Sequence, residues 1–191
     1  MVVLKAIQSG TTAAVTCQLC MRVKELMDSA LEKYVPSSAY ASDFAVCEVP
    51  VMMALDRELY SSLALYMYGK DHFERKEVGT AIGLCKLALK KLETQKGNSF
   101  QTGFAGLPPL TVKGRNHLIN GIDNFKAVVN DLLVKAENDN IYVYAQIVPK
   151  DAELPVLPAG SQSYLTYLLH TALNINKNEP IRNQHDGTYP V

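Results

Sequence analysis

The segment 51–95 constrains the fold more than any other part of the chain. From about Val51 to Arg75, Leu59, Leu63, Tyr66 and Phe73 recur on neighbouring turns of a helix. Pro50 suits its first turn, where a missing N–H costs little. From about Glu77 to Gln95, Val78, Ala81, Ile82, Cys85, Leu89 and Leu92 form a second apolar face. Only a short turn around Arg75–Lys76 parts the two patterns, and helices joined so closely lie antiparallel, side by side. Small residues and aromatics at helical spacing, Ala64 and Tyr66 against Ala81 and Ala88, give this hairpin tetratricopeptide character. It is a single copy and not a repeat array.

The flanks are also helical. Thr11 to Tyr34 carries a stripe at Cys20, Val23, Met27, Ala30 and Tyr34, with Lys24, Glu25, Asp28 and Glu32 largely off it. Pro36 and several serines make residues 35–43 a loop. The Gly- and Pro-rich stretch 97–112 is a longer loop, ordered by its own Phe100, Phe104 and Leu107. A further helix is expected from about Lys113 to Asn138, with Leu118, Ile122, Phe125, Val129 and Leu132/Leu133 inward. Then comes a proline-punctuated extended strap to Pro158, a short helical candidate at 163–175, and a polar end expected to be disordered. The fold class is therefore all-α: antiparallel helices with a tetratricopeptide-like hairpin, followed by an extended C-terminal strap. No stretch has the alternation or βαβ rhythm of a sheet.

Charge balances at 19 basic and 19 acidic residues, so no electrostatic footprint for nucleic acid or an anionic membrane exists. The N-terminus lacks the pattern of a signal peptide, and no window approaches a membrane span. An intracellular, soluble protein is expected. Phosphate loops, nucleophile elbows and metalloprotease motifs are absent, and His72, His117, His170 and His185 show no ligand spacing. His72, near a helix end, reads as solvated or as a C-terminal cap. Cys17 and Cys20 form a CxxC inside a helical pattern with no second pair to complete a zinc site, so Cys17, Cys20, Cys47 and Cys85 read as buried thiols. The expectation is a protein with no catalytic residues, no metal and no cofactor.

One helix has a second apolar edge. Val15 and Leu19 are four residues apart and share a face displaced from the Cys20–Val23–Met27 stripe. Either the helix is central and buries both faces, or one face is a groove for a partner's amphipathic helix.

Residues 135–158, KAENDNIYVYAQIVPKDAELPVLP, resemble the closing signature of the Bro-one domain of Alix-type endosomal-sorting proteins. The likeness rests on Lys135, Asp139, Asn140, Tyr144, Val148, Pro149, Leu154 and Pro155. Upstream, VVLKAIQSGTTAAVTCQLCMRVKELMDSALEKY is similar to the family's helix pair, and YGKDHFERKEVGTAIGLCKLAL to its hairpin, with Gly79, Ile82 and Ala88 matching. Order and spacing together carry the resemblance over about residues 2–158.

The resemblance implies an elongated helical body that binds and does not catalyse. Its partner would be the C-terminal amphipathic helix of an ESCRT-III subunit, the charged multivesicular body protein type. The binding groove would be built on Val2, Val15 and Leu19. Val2 is smaller than the aromatic common in the family and Thr16 replaces an aliphatic, which together weaken contact; the loss at Val2 is on the order of 1–2 kcal/mol. The expected organisation is a partial, C-terminal half domain over 1–158 and a tail over 159–191. The expected location is cytoplasmic, with recruitment to endosomal membranes through partners. Tyr142, Tyr144, Val148 and Pro149 are expected to anchor the strap as a clasp between helices; the alternative is a flexible exit linker. A second site remains open for a generic tetratricopeptide-like scaffold, on the hairpin around Tyr60, Tyr66 and Lys70, as does an inactive half domain.

Overall fold

The computed structural model describes residues 10–33, 49–99 and 111–160. Val2, the loop residues Phe100, Phe104 and Leu107, Cys47 and the helical candidate at 163–175 lie outside the described residues. Four helices make up the body: α1 (Ala13–Lys33), α2 (Val49–Glu74), α3 (Val78–Ser99) and α4 (Val112–Asp139). Among the described residues there is no strand. Each helix packs chiefly on the next in sequence, so the four form an antiparallel row. Cross-helix ion pairs mark the direction: Lys86 meets Glu137 at 2.8 Å and Lys96 meets Asp123 at 2.7 Å, so α3 and α4 run opposite ways.

The α2–α3 turn is as short as the sequence implies. Lys76 takes the left-handed conformation, φ 67°. Its N–H donates to the Phe73 carbonyl at 3.0 Å, and the Glu77 N–H donates to the His72 carbonyl at 2.9 Å. This Schellman arrangement satisfies the last carbonyls of α2 and starts α3 one residue later. Close crossing of the hairpin depends on small side chains. A Cβ on Gly69 would lie 3.4 Å from both the Ala81 carbonyl oxygen and Cys85 Sγ, and Ala64, Ala81 and Ala88 are fully buried.

The start of α4 is set by Thr111, whose hydroxyl accepts from the Gly114 N–H at 3.2 Å. Its apolar face buries Leu118, Ile122, Val129, Leu133 and Ala136. Phe125 reaches across to α2, where its ring stands edge-on to Tyr66 with centroids 5.7 Å apart.

Two clusters form the core. The larger fills α2, α3 and α4 around Leu55, Ile82, Leu92, Ile122 and Val129. The smaller joins α1 to α2 through Cys17, Leu19, Cys20, Ala64 and Met67. Here the stripe expected on α1 shifts. Its buried residues are Ala13, Thr16, Cys17, Leu19 and Cys20, whereas Ala30 is exposed and Val23 and Met27 are half-buried. Burial is concentrated in the first half of α1, where it crosses Ala64 and Met67, so the later positions of the stripe are turned partly to water.

Candidate functional site: the α1 face and the strap

Val15 and Leu19 occupy different depths on α1. Leu19 is 0% exposed, inside the α1–α2 cluster. Val15 is half-buried at the edge of the same cluster. Leu19 is therefore core in this fold, and Val15 is the more accessible of the two. Periodicity separated Leu19 from the Cys20 stripe by angle, but both angles point into α2. Thr16 also points inward; its hydroxyl donates to the Thr12 carbonyl at 3.0 Å, which satisfies it locally.

The residues of the alternative hairpin site have partly separate surroundings. Tyr60 packs on the α1–α2 cluster, Tyr66 stands against Phe125 of α4, and Lys70 is exposed near the start of α1. Six helical positions set the two tyrosines about 120° apart around α2, and both touch the α1–α2 cluster.

The strap begins where α4 loosens into a single π turn, Asn140–Tyr144, closed by Ala145 in the left-handed region at φ 49°. Asn140 clamps the exit: its Nδ2 donates to the Gln146 carbonyl at 2.9 Å and its Oδ1 accepts from the Gln146 N–H at 2.8 Å. The Gln146 side chain then bridges the α2–α3 turn. Its Oε1 accepts from the Gly79 N–H at 2.9 Å, and its Nε2 donates to the Lys76 carbonyl at 2.8 Å. Gly79 is in the first turn of α3, whose N–H groups have no partner within the helix, so Gln146 acts as an external cap.

From there the chain crosses α3 on two glycines. A Cβ on Gly79 would lie 2.4 Å from the Ile147 carbonyl oxygen; one on Gly83 would lie 2.7 Å from Leu154 Cδ2 and 3.4 Å from the Pro149 carbonyl oxygen. Asp151 pairs with Lys90 at 2.8 Å, and a short turn over Asp151–Glu153 is tied by the Lys150 N–H to Glu153 Oε2 at 3.1 Å. Leu157 packs on both core clusters. The strap reaches α1 at Gly160, whose N–H donates to Glu25 Oε1 at 3.1 Å. It thus ties the last helix of the row to the first.

Its anchors differ in part from those expected. Tyr144 packs on the larger cluster and Pro149 lies against Gly83. Tyr142 is 83% exposed, and Val148 stands 37% exposed. Tyr142 is no anchor: the π turn rotates it outward, whereas an extended chain would have put Tyr142 and Tyr144 on one face. The anchors that sequence reasoning missed are Gln146, Leu154, Leu157 and the glycines beneath them. The spacing Gly79-Thr-Ala-Ile-Gly83 was the available signal, since two glycines one turn apart in a strong helix mark a close approach of other backbone.

The titratable groups are those of packing. Burial pushes the thiols of Cys17, Cys20 and Cys85 up to about 12, so they are protonated at neutral pH and weak nucleophiles. Burial raises Asp56, with His117 pulling it back, and it raises Tyr60 and Tyr66. His72 is not solvated as its position suggested: it is 6% exposed, its Nδ1 is 2.5 Å from Glu77 Oε2, and its ring stands against Tyr68. Among the described residues no three His, Cys, Asp or Glu side chains are grouped to hold a metal. Among the same residues no helix is long and apolar enough to cross a membrane.

The described residues thus form a helical row whose two ends are joined by the strap. The model of the BRO1-like domain matches residues 1–183. The chain belongs to that family. A BRO1-like domain is a protein-interaction domain of endosomal sorting. The match continues past Pro158, so the strap lies inside the BRO1-like domain. Comparison with curated proteins returns no match. Four of the positions that carried the resemblance in sequence make packing or hydrogen-bond contacts here. Lys135 lies over the Phe73 ring at 5.3 Å, Asn140 clamps Gln146, and Tyr144 and Leu154 pack on the core.

Proposed function

We propose that the chain is a non-enzymatic endosomal-sorting adaptor whose α1 side takes the C-terminal amphipathic helix of an ESCRT-III subunit. Val15 forms the rim of that surface and Leu19 is the packed floor beneath it; Val2, the third position that the resemblance implies, lies outside the described residues. The observation that carries the reading is Val15, a half-buried apolar residue one turn from a fully buried one, at the edge of the α1–α2 cluster. An amphipathic helix gains by covering such an edge at about 25 cal/mol per Å². The cytoplasmic protein then reaches the endosomal membrane through this partner and needs no cofactor.

The test is an anisotropy titration of a labelled ESCRT-III C-terminal helix against the chain and its Val15→Asp variant, with helicity matched by circular dichroism. Micromolar binding that the variant loses supports the adaptor. A folded chain that fails to bind, or a variant that binds equally, rules out this surface. Leu19→Asp is the wrong probe, because a carboxylate at a fully buried position disrupts folding before it reports on binding.

A further inference from the structure

The face of α3 that carries the strap continues beyond it. Gly79 and Gly83 lie under strap backbone, and Leu87, Lys90 and Thr94 extend the same line at helical steps. This line borders a cavity of about 370 Å³ between α2 and α3, within the range of ligand sites. Leu55 and Leu87 give it an apolar wall. Gln95 also lines it and is 3% exposed. Its Nε2 donates to the Leu55 carbonyl at 2.6 Å, and its Oε1 is buried with no hydrogen-bond partner among the described residues. Lys90 and Lys91 bring two ammonium groups to the lining; its carboxylate, Glu58, is taken by Arg57 at 2.7 Å.

We propose that this cavity docks an acidic, aliphatic segment of a partner protein in extended conformation. Two observations select that occupant. The strap is itself such a segment, laid along the same helix face with Asp151 on Lys90 and Leu154 over Gly83. The lysines favour carboxylates: an ammonium has three donors, and Lys90 and Asp151 are 70% and 56% exposed, a weak pair that shares readily. The site lies on a different face from Val15 and does not depend on the ESCRT-III reading.

The experiment is a chemical-shift titration of the isotope-labelled full chain with an acetylated, amidated pentapeptide, Leu-Asp-Leu-Asp-Leu. The same peptide with Lys for Asp is the control. The expected result is shifts at residues 55–58 and 87–95, including the Gln95 side-chain amide, with affinity about tenfold weaker in a K90E/K91E variant of unchanged circular dichroism. Lys90 is exposed, whereas Lys91 is half-buried and its Nζ donates to Ser61 Oγ at 3.2 Å, so a K90E single variant, with the same expected weakening, serves where the double variant loses helicity. Shifts confined to other residues, equal binding of the Lys peptide, undiminished binding by K90E/K91E, or no shifts at about 2 mM peptide would each overturn the proposal.

Discussion

The Gly79 N–H donates to Gln146 Oε1 at 2.9 Å, across 67 positions of sequence. The same side chain holds the Lys76 carbonyl at 2.8 Å, so one amide fixes both sides of the α2–α3 turn to the start of the strap. The hairpin and the strap are therefore coupled, and the strap's order depends on the conformation of a turn far away in the chain.

Replacing Gln146 with Ala removes both bonds and leaves the Gly79 N–H without a partner. At about 0.5–1.5 kcal/mol for each bond, the expected loss is about 1–3 kcal/mol. Urea denaturation measures the loss, and hydrogen exchange at 146–157 locates it. If exchange there stays slow in Gln146→Ala, the apolar contacts of Leu154 and Leu157 hold the strap without the amide.

Two glycines in helices separate the effects of packing and propensity. Gly79→Ala places a Cβ 2.4 Å from the Ile147 carbonyl oxygen, so strap backbone has to move. Overpacking of this kind costs about 1–3 kcal/mol, against about 1 kcal/mol gained in helix propensity. Gly121→Ala meets nothing within 4 Å and keeps the gain alone. The first variant should lower the urea midpoint and the second should raise it. Equal shifts of the same sign would mean that the strap does not press on α3.

The helices and the hairpin were legible because each apolar face repeats over about four turns; Val78, Ile82, Cys85 and Leu92 needed no tertiary information. Depth was harder to read. A helical wheel gives the angle of Leu19 but not what covers it, and α2 covers a wider arc of α1 than one stripe. The strap was legible from its prolines and Asn140, its register less so. One π turn at Asn140–Tyr144 exchanges the roles of Tyr142 and Gln146, and nothing in local composition marks that turn. Lys76 hides its left-handed conformation in the same way, since no Gly or Asn signals it.

Core and rim on α1 are separable by truncation. Leu19→Ala empties a fully buried site and should cost about 2–5 kcal/mol, whereas Val15→Ala, at a half-buried edge, should cost about 1 kcal/mol or less. Urea midpoints of the two variants decide it. Similar losses would place Val15 in the core as well and remove the rim on which the adaptor reading stands.

Alkaline pH should weaken the fold through its buried thiols. Cys17, Cys20 and Cys85 are raised from 9.0 to about 12, chiefly by burial. Below pH 9.0 these thiols are protonated in both folded and unfolded chains, and their contribution is fully present. Between 9.0 and about 12 the unfolded chain releases protons that the fold retains, so stability falls as pH rises. Tyr60 and Tyr66, raised from 10.0 by burial, add a loss of the same sign above pH 10.0. The thermal midpoint should therefore drop steadily above pH 9.0, and a C17A/C20A/C85A variant should lose the part of that slope lying below pH 10.0. A parallel slope in the variant would trace the alkaline loss to the tyrosines and to broken ion pairs such as Lys86–Glu137.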